Sequence, residues 1–367
     1  MNRFLSPSLV VVALLSSLFI GSFALPDLLP DAEASSRDKR KIRKLKRQSR
    51  GLRKTVNNLR RDLSETRDDL SVALAGPAFI EMVTVGNPGN GPDAGNTSEP
   101  NTYGAVAETF QIGKYEVTNA QYVAFLNAVA VTDTYGLFNP NMESNVVGGI
   151  RRTGADGSYR YTAKSAMCDK PVNYVNWFDA ARFCNWLHNG MVSGAQDAST
   201  TEQGAYTLDG ATSGASITRN AGAKYHLPSE NQWYKAAYHE PGGDTDNYWL
   251  YSTRSNSIPT VGTVNTFGEI TNDTANIANY NRGADWNGEN GNLTTVGSGG
   301  SGSASFYGAF DMGGNVWELN DAVISGSFRG LRGGSWSSNE GGLRSSARNN
   351  FDPDGEVVTI GCRVASP

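Results

Sequence analysis

The stretch YGAFDMGGNVWELN, Tyr307 to Asn320, brings aromatic residues, glycines and polar residues together within a few positions. Four other strings share this mixture and precede or follow it in order. They are YEVTNAQYVAFLN from Tyr115, PVNYVNWFDAARFCNWL from Pro171, YHLPSENQWYKAAY from Tyr225, and LRGGSW from Leu331, which continues through RSSARN to IGCRVAS. Large aromatic side chains at the centre of such motifs build the core of a domain. The five strings therefore mark one folded body.

Composition and local pattern predict an α+β domain with much irregular backbone. Of the 367 residues, 38% are apolar, which is enough for a real core, and the 42 glycines favour loops. Helices are expected in TNAQYVAFLNAVA, WFDAARFCNWLHNG and SENQWYKAAYHE, with Thr118 and Ser229 as N-caps and Gly190 as a C-cap. The segment AFIEMVTVG is expected to form the first strand, whereas 194–223 and 244–300 show little periodicity.

A basic stalk is predicted over residues 37–74. Between Arg37 and Leu70 there are 14 Lys/Arg and 5 Asp/Glu, although the whole chain has a net charge of −4. The body is therefore acidic, which argues against a nucleic-acid partner and is compatible with cation binding. Apolar residues with 3-4 spacing predict a coiled coil, and hence a homo-oligomer, with its seam at Ile42, Leu45, Leu52, Val56, Leu59, Leu63 and Leu70. A helix lying on an anionic membrane or envelope polymer is the alternative.

Residues 1–24 have the features of a secretory signal peptide. Arg3 precedes an apolar run from Leu9 to Ala24, which ends in small residues. An uncleaved membrane anchor is the alternative, because the run is close to the minimum length for a span. Export is therefore expected, with the body periplasmic, secreted or membrane-anchored.

Over residues 77–367, the five strings together resemble the formylglycine-generating enzyme / sulfatase-modifying factor family. The resemblance implies a C-type-lectin-like fold with little regular secondary structure. The family's enzymes oxidise a substrate cysteine to formylglycine with two copper-binding cysteines in a GGS-aromatic-x-C-x4-C string. Here Ser338 and Leu343 occupy both cysteine positions. Because copper(I) selects thiolate ligands, no copper and no copper-dependent oxidation are expected.

The stretch around these two vacated positions nevertheless predicts a ligand groove. Its candidate binding residues are Ser335, Trp336, Arg344 and Arg348, and its expected ligand is a glycan or a peptide. Arginine can receive an anionic ligand at such a site. The alternative is that Arg332, Arg344 and Arg348 hold carboxylates of the body in fixed pairs.

The resemblance also implies two calcium sites. The first maps onto Asp311, Gly314, Val316 and Glu318, all of which can supply oxygen. The second maps less securely onto Asn279, Tyr280, Asn290 and Asn292, since an amide stands at Asn290 in place of the expected carboxylate. The alternative is that these loops close on their own hydrogen bonds without metal.

Three cysteines suggest one bonded pair and one remaining thiol, and they form no CxxC motif. The resemblance implies a structural disulfide between Cys184 and Cys362, which leaves Cys168 alone. The alternative is two free buried thiols at 184 and 362. The histidines, His188, His226 and His239, have no spacing typical of an iron site.

The sequence as a whole favours an exported protein that binds a ligand or is displayed on a surface. The alternative is an enzyme of this family with divergent oxidative or protein-modifying chemistry, in which Cys168 takes part. A purely structural component of the cell envelope is a third possibility. The ligand, the oligomer number and the cleavage of the signal are not fixed by the sequence.

Overall fold

The computed structural model describes residues 40, 43–44, 46–52, 54–55, 79–95, 103–242, 247–272 and 274–367. The expected signal segment and most of the predicted coiled-coil seam lie outside these residues. The described stalk residues are α-helical, and the side chain of Leu52 is 66% exposed. The coiled coil therefore stays a prediction. In the part of the chain that the structure describes, no helix is both long and apolar enough to cross a membrane.

Three of the four helices described in the body begin at a side-chain cap. They are α1 (Asn119–Val129), α2 (Asn141–Ser144), α3 (Trp177–His188) and α4 (Glu230–Tyr238). Thr118, Asn176 and Ser229 each form a capping box with the residue three positions later, which satisfies two backbone N–H groups at the helix start. The three predicted helices are thus confirmed.

Two helix ends differ from the sequence expectation. Helix α3 ends at His188 with Asn189 as its C-cap, and Gly190 follows in the left-handed region at φ 84°. Helix α4 ends at Tyr238 because His239 turns to extended backbone and pairs with Tyr248. The expected continuation of α4 through Glu240 was therefore wrong.

The strands are short. They are β1 (Met82–Val85), β2 (Phe110–Gly113), β3 (Ile150–Thr153), β4 (Arg160–Ala163), β5 (His239–Glu240), β6 (Asn247–Tyr248), β7 (Thr260–Val261), β8 (Ile277–Ala278), β9 (Trp317–Ile324), β10 (Phe328–Arg332), β11 (Asn349–Phe351), β12 (Ile360–Cys362) and β13 (Ala365–Ser366). Short 3-10 helices lie at Ser301–Ser303 and Glu340–Leu343. Residues 194–223 contain no helix or strand. The prediction of an α+β domain with much irregular backbone is confirmed.

Two sheets organise the body. The first has the order β1-β2-β13 and is antiparallel. Strand β13, near the C-terminus, pairs with β2 and so joins the sheet that β1 and β2 form. The second has the order β11-β10-β9-β12, in which β12 runs parallel to β9. Strands β12 and β13 are separated only by Arg363 and Val364, so this short C-terminal segment connects both sheets.

Aromatic side chains from the motif strings fill the core between these elements. Phe125 on α1 contacts Phe183 and Trp186 on α3, with ring centroids 5.5 and 5.3 Å apart. A second apolar cluster collects Trp233 and its neighbours on α4 with residues of β1 and β2, including Phe110. Rings of this size contribute much buried apolar area, which explains why the strings carry the fold.

A fully buried arginine joins the two sheets. Arg363 donates from Nε and Nη2 to the Glu318 carboxylate on β9, at 2.9 and 2.8 Å. Its Nη1 donates to the carbonyl of Gly113 on β2 at 2.8 Å, and its Nη2 also donates to the Phe310 carbonyl at 2.8 Å. The two charged side chains are at most 1% exposed. A charge buried this deeply is stable only while its partner stays in place.

Replacement of Arg363 by alanine is expected to lower the free energy of unfolding by about 3–5 kcal/mol, because it leaves the Glu318 carboxylate buried and unpaired. Chemical denaturation at neutral pH measures the change. Arg151→Ala is the matched control, since Arg151 pairs with Glu143 at 3.6 Å on the exposed surface and should contribute only about 0–1 kcal/mol. Equal losses for both variants would contradict this account of the sheet connection.

Candidate functional site

The two vacated cysteine positions lie in a loop that folds back on itself after β10. The Ser335 N–H donates to Ser338 Oγ and the Ser338 N–H donates to the Ser335 carbonyl, both at 3.0 Å. A side chain at Gly342 would place its Cβ 3.0 Å from Ser338 Cβ, so the loop is tightly closed next to Leu343. The two positions that the resemblance assigns to cysteines therefore carry one hydroxyl group, at Ser338, and one hydrocarbon side chain, at Leu343.

Leu343 itself belongs to the core. It is 1% exposed and packs in an apolar cluster with Tyr251, Ala278 and Tyr280. The Tyr238 hydroxyl donates to its carbonyl at 3.3 Å. A hydrocarbon side chain in this setting supplies packing and has no metal-binding chemistry.

The predicted groove residues do not form one open surface. Ser335 is fully buried, and Trp336 is 7% exposed within an apolar cluster that includes Trp286 and Val316. Arg282 lies over the Trp336 ring at 5.8 Å and covers it further. Of the four candidates, only Arg344 is exposed.

Two of the arginines in this stretch hold a carboxylate in fixed pairs. Arg332 and Arg348 both bind Glu230, with N–O distances of 2.8 Å. Their guanidinium groups lie 4.5 and 5.4 Å from the ring centroid of Tyr103. Arg332 and Arg348 thus hold a carboxylate of the body, which is the alternative to ligand binding that the sequence left open.

Arg344 has a different environment. Its Nε donates to the Tyr251 hydroxyl at 3.1 Å, and its backbone bridges to the same tyrosine. The next residue, Ser345, donates its N–H to the carbonyl of Leu250, whose side chain is 43% exposed. Arg344 and Leu250 are therefore exposed residues on two neighbouring backbone segments.

Acidic side chains gather around Arg363, and neither Glu116 nor Arg363 itself was predicted from the sequence. The Asp311 carboxylate accepts from the Gly297 N–H at 2.6 Å, and its burial raises its pKa to about 6. Glu116 has neither carboxylate oxygen hydrogen-bonded within the described structure and lies 3.9 Å from Arg363 Nη2. Burial, and then the neighbouring Asp311, raise the pKa of Glu116 well above its usual range.

The first predicted calcium set is only partly suited to the ion. Asp311 and Glu318 are close enough for the Glu318 charge to raise the pKa of Asp311. However, Glu318 accepts from Arg363 and also from Trp233 Nε1 at 2.7 Å, so its carboxylate is already bound to a cation. No group of three His, Cys, Asp or Glu within the described ranges is arranged to hold a metal.

The second set has a feature that the first lacks. Asn279 Oδ1 is buried and accepts no hydrogen bond within the described structure, while its Nδ2 donates to the Asn292 carbonyl at 2.9 Å. The structure thus brings Asn279 and Asn292 together, whereas Asn290 is exposed. An unpartnered buried oxygen fits a cation ligand, although neutral oxygens alone bind calcium more weakly than carboxylates do.

The two predicted calcium sets lie next to each other, because the backbone at Gly314 approaches the backbone at Asn279. Gly314 has φ 90°, and a side chain there would place its Cβ 2.3 Å from the Asn279 carbonyl oxygen. The Asn315 N–H donates to the same oxygen at 2.8 Å. Only glycine allows this backbone approach, which explains the second glycine of the Gly-Gly pair in the opening motif.

The three cysteines are buried, and none of them forms a disulfide in the structure. The disulfide implied for Cys184 on α3 and Cys362 on β12 is therefore not shown. Burial raises the pKa of the Cys184 thiol well above its usual value, and the nearby Cys362 raises it further. The two thiols are thus neighbours. Cys168 is only 2% exposed, which is unfavourable for a nucleophile that must reach a substrate.

The sulfatase-modifying factor enzyme 1-like domain matches this chain over residues 68–367. The chain belongs to this family. The resemblance drawn from the five strings is therefore confirmed. Ser338 and Leu343, which the resemblance places at the copper-binding cysteines, lie within the matched residues.

Three relatives illustrate the range of similarity. "Chaperone protein LppX" of Paenibacillus barcinonensis is 25% identical over 276 residues, which cover 70% of this chain and 79% of that protein. The Treponema denticola variable protein 1 is 21% identical, covering 78% of this chain and 94% of its own, with a TM-score of 0.43. PvdO from Pseudomonas aeruginosa is 19% identical, covering 79% and 98%, with a TM-score of 0.40. TM-scores this low do not support transfer of structural detail or function.

Proposed function

We propose that this chain is an exported, coiled-coil oligomer that displays a sulfatase-modifying-factor domain and binds a glycan or peptide instead of oxidising cysteine with copper. Export is supported by the sequence of residues 1–24, and oligomerisation by the 3-4 spacing of the stalk. Several copies of a weak binding site on one stalk gain avidity for a repetitive surface. A family relative named as a chaperone protein is compatible with a binding role.

The observation that carries the proposal is the chemistry at positions 338 and 343. Ser338 takes part in hydrogen bonds that close its own loop, and Leu343 packs among tyrosines. Neither side chain can act as a soft ligand for copper(I). The site retains the loop of the family without the ligands that its oxidation requires.

The surface that best fits ligand binding is centred on Arg344. Arg344 is exposed, whereas the other three groove candidates are buried or bound to Glu230. An exposed arginine suits a ligand with an anionic part. The proposed site is therefore smaller than the groove expected from the sequence.

The purified protein, incubated with a CxPxR peptide, copper and oxygen, is expected to form no aldehyde, because the copper ligands of the family are replaced. Mass spectrometry after hydrazide labelling detects the product. A family enzyme that retains both cysteines serves as the positive control under the same conditions.

Aldehyde formation would overturn the proposal and favour divergent catalysis, especially if Cys168→Ser abolished it. A glycan and peptide array applied to the same preparation tests the binding half of the proposal. Arg344→Ala should weaken any signal, whereas Arg151→Ala, at another exposed arginine, should leave it unchanged. Absence of every ligand would instead indicate a structural envelope component.

We also propose that Cys184 and Cys362 form a disulfide once the protein reaches an oxidising compartment. Thiol counting in denaturant without reductant is then expected to find one thiol, Cys168, in exported protein and three in protein made under reducing conditions. The bond should stabilise the fold by about 4–5 kcal/mol, since it closes a very long loop. Three thiols in the exported protein would contradict the pairing.

Calcium binding is the remaining proposal, and it predicts a higher melting temperature in millimolar calcium than in EDTA. Saturation at a hundred times Kd would stabilise the native state by about 2.7 kcal/mol. Because the pKa of Asp311 is about 6, an ion held by Asp311 should stabilise more at pH 7.5 than at pH 5. An ion held by Asn279 and Asn292 should show no such dependence. Identical melting in calcium and EDTA would count against both sites.

A further inference from the structure

A buried carboxyl group, Asp179, and a half-buried one, Glu356, lie close together at the start of α3. Asp179, which is 1% exposed, uses Oδ2 to accept from the Asn176 N–H at 2.9 Å in the capping box. Its Oδ1 is buried and receives no hydrogen bond from a donor group. The Glu356 carboxyl, in the segment between β11 and β12, accepts from the Asn176 side-chain amide at 3.2 Å, so Asn176 binds both carboxyl groups and places them next to each other.

The hydrogen-bond donors around Asp179 and Glu356 indicate which of the two carboxyl groups carries a proton. Glu356 accepts from the amide groups of Asn139 and, at 3.2 Å, Asn176. These bonds favour the ionised form of Glu356, so Asp179 is the member that can donate. Burial, followed by the Glu356 charge, raises the pKa of Asp179 well above its usual range. Two adjacent carboxyl groups in such a site cannot both ionise without strong repulsion.

Charged and titratable groups on the surrounding elements do not neutralise the pair. On α3 itself, Arg182 favours ionisation of Asp179 but is already bound to Glu202 at 2.7 Å. The other facing groups are acids or neutral donors: Tyr122 on α1, Asp133 in the loop after α1, and Cys362 on β12. The extra negative charge would therefore remain largely uncompensated.

The segment that carries Glu356 packs against both α3 and the loop region of the vacated copper site. The carbonyl of Pro353 accepts from the Trp177 N–H at 3.0 Å, and the carbonyl of Val357 accepts from the Tyr174 N–H at 3.2 Å. Val358 packs against the apolar cluster that contains Trp336. Loss of the carboxyl contact would release one of the attachments of this segment.

We propose that Asp179 and Glu356 share one proton and form a pH-sensitive latch, which holds the segment 352–359 on α3 and against the Trp336 cluster. When the pair loses its proton at higher pH, the two carboxylates repel and the segment loosens. If the latch regulates a ligand surface, that role rests on the proposed binding function. The sharing of the proton itself requires no ligand.

The native pair binds one proton more than the unfolded chain does above the ordinary aspartate pKa of about 4. Stability contributed by this proton is complete at low pH and is lost as pH rises through the native pKa of the pair. The unfolding constant should therefore rise about tenfold per pH unit from this pair alone. In Asp179→Asn, the amide can donate to Glu356 and its carbonyl can accept from the Asn176 N–H, which mimics the protonated state.

The experiment measures unfolding of the full chain by denaturant from pH 4.5 to 8. Wild type is expected to lose more stability with rising pH than Asp179→Asn, with slopes that differ by about one proton. Asp197→Asn is the matched control, since Asp197 is an exposed carboxylate whose pKa is lowered by hydrogen bonds from Ser199. Its slope should equal that of wild type over this range.

Hydrogen exchange of the native protein supplies a second readout. After correction for intrinsic rates, amides in 352–359 should be less protected at pH 8 than at pH 5 in wild type, and equally protected in Asp179→Asn. Equal slopes, pH-independent protection in wild type, or failure of Asp179→Asn to fold at pH 5 would each overturn the latch. None of these measurements uses a ligand, so a failed binding test would leave their outcome unaffected.

Discussion

The contact between Arg363 and Glu318 holds the body together at the point where its two sheets meet. The guanidinium reaches a carboxylate on one sheet and a main-chain carbonyl on the other, with no access to solvent. Because its charge has to be compensated locally, it also influences nearby acids such as Asp311 and Glu116. The short strands on either side could not fix this arrangement alone, since each contributes few ladder bonds.

Side-chain amides form hydrogen bonds with backbone groups that lie outside helices and strands. Asn185 on α3 donates to the carbonyls of Thr201 and Tyr206 and accepts from the Tyr206 N–H, which fixes a long segment without helix or strand. Asn119 binds three carbonyls of the loop before α3 in the same way. Buried backbone groups need partners, and where strands do not provide them, asparagine does.

Local signals predicted the elements well, whereas contacts distant in sequence were not foreseen. Thr118 and Ser229 predicted the first residues of their helices, because a capping box involves only residues three positions apart. Arg363 is an isolated cation in its string, and nothing in the sequence connects it with Glu318 or Gly113. The groove residues were inferred from composition, yet Trp336 proved to be buried and Arg348 bound to Glu230. Side-chain direction and pairing decide such roles, and a single sequence does not encode them in a readable pattern.

The packing of Leu343 restricts which residues can replace it. A cysteine at that position would be smaller than leucine and would leave a void beside Tyr251 and Tyr280, which a well-packed interior resists. Ser338 is likewise part of the hydrogen bonds that close its loop. Introducing a cysteine at both positions would therefore require neighbouring residues to change as well. The core occupies one of the two positions and the hydrogen bonds of the loop occupy the other, so two substitutions alone would not build a thiolate pair.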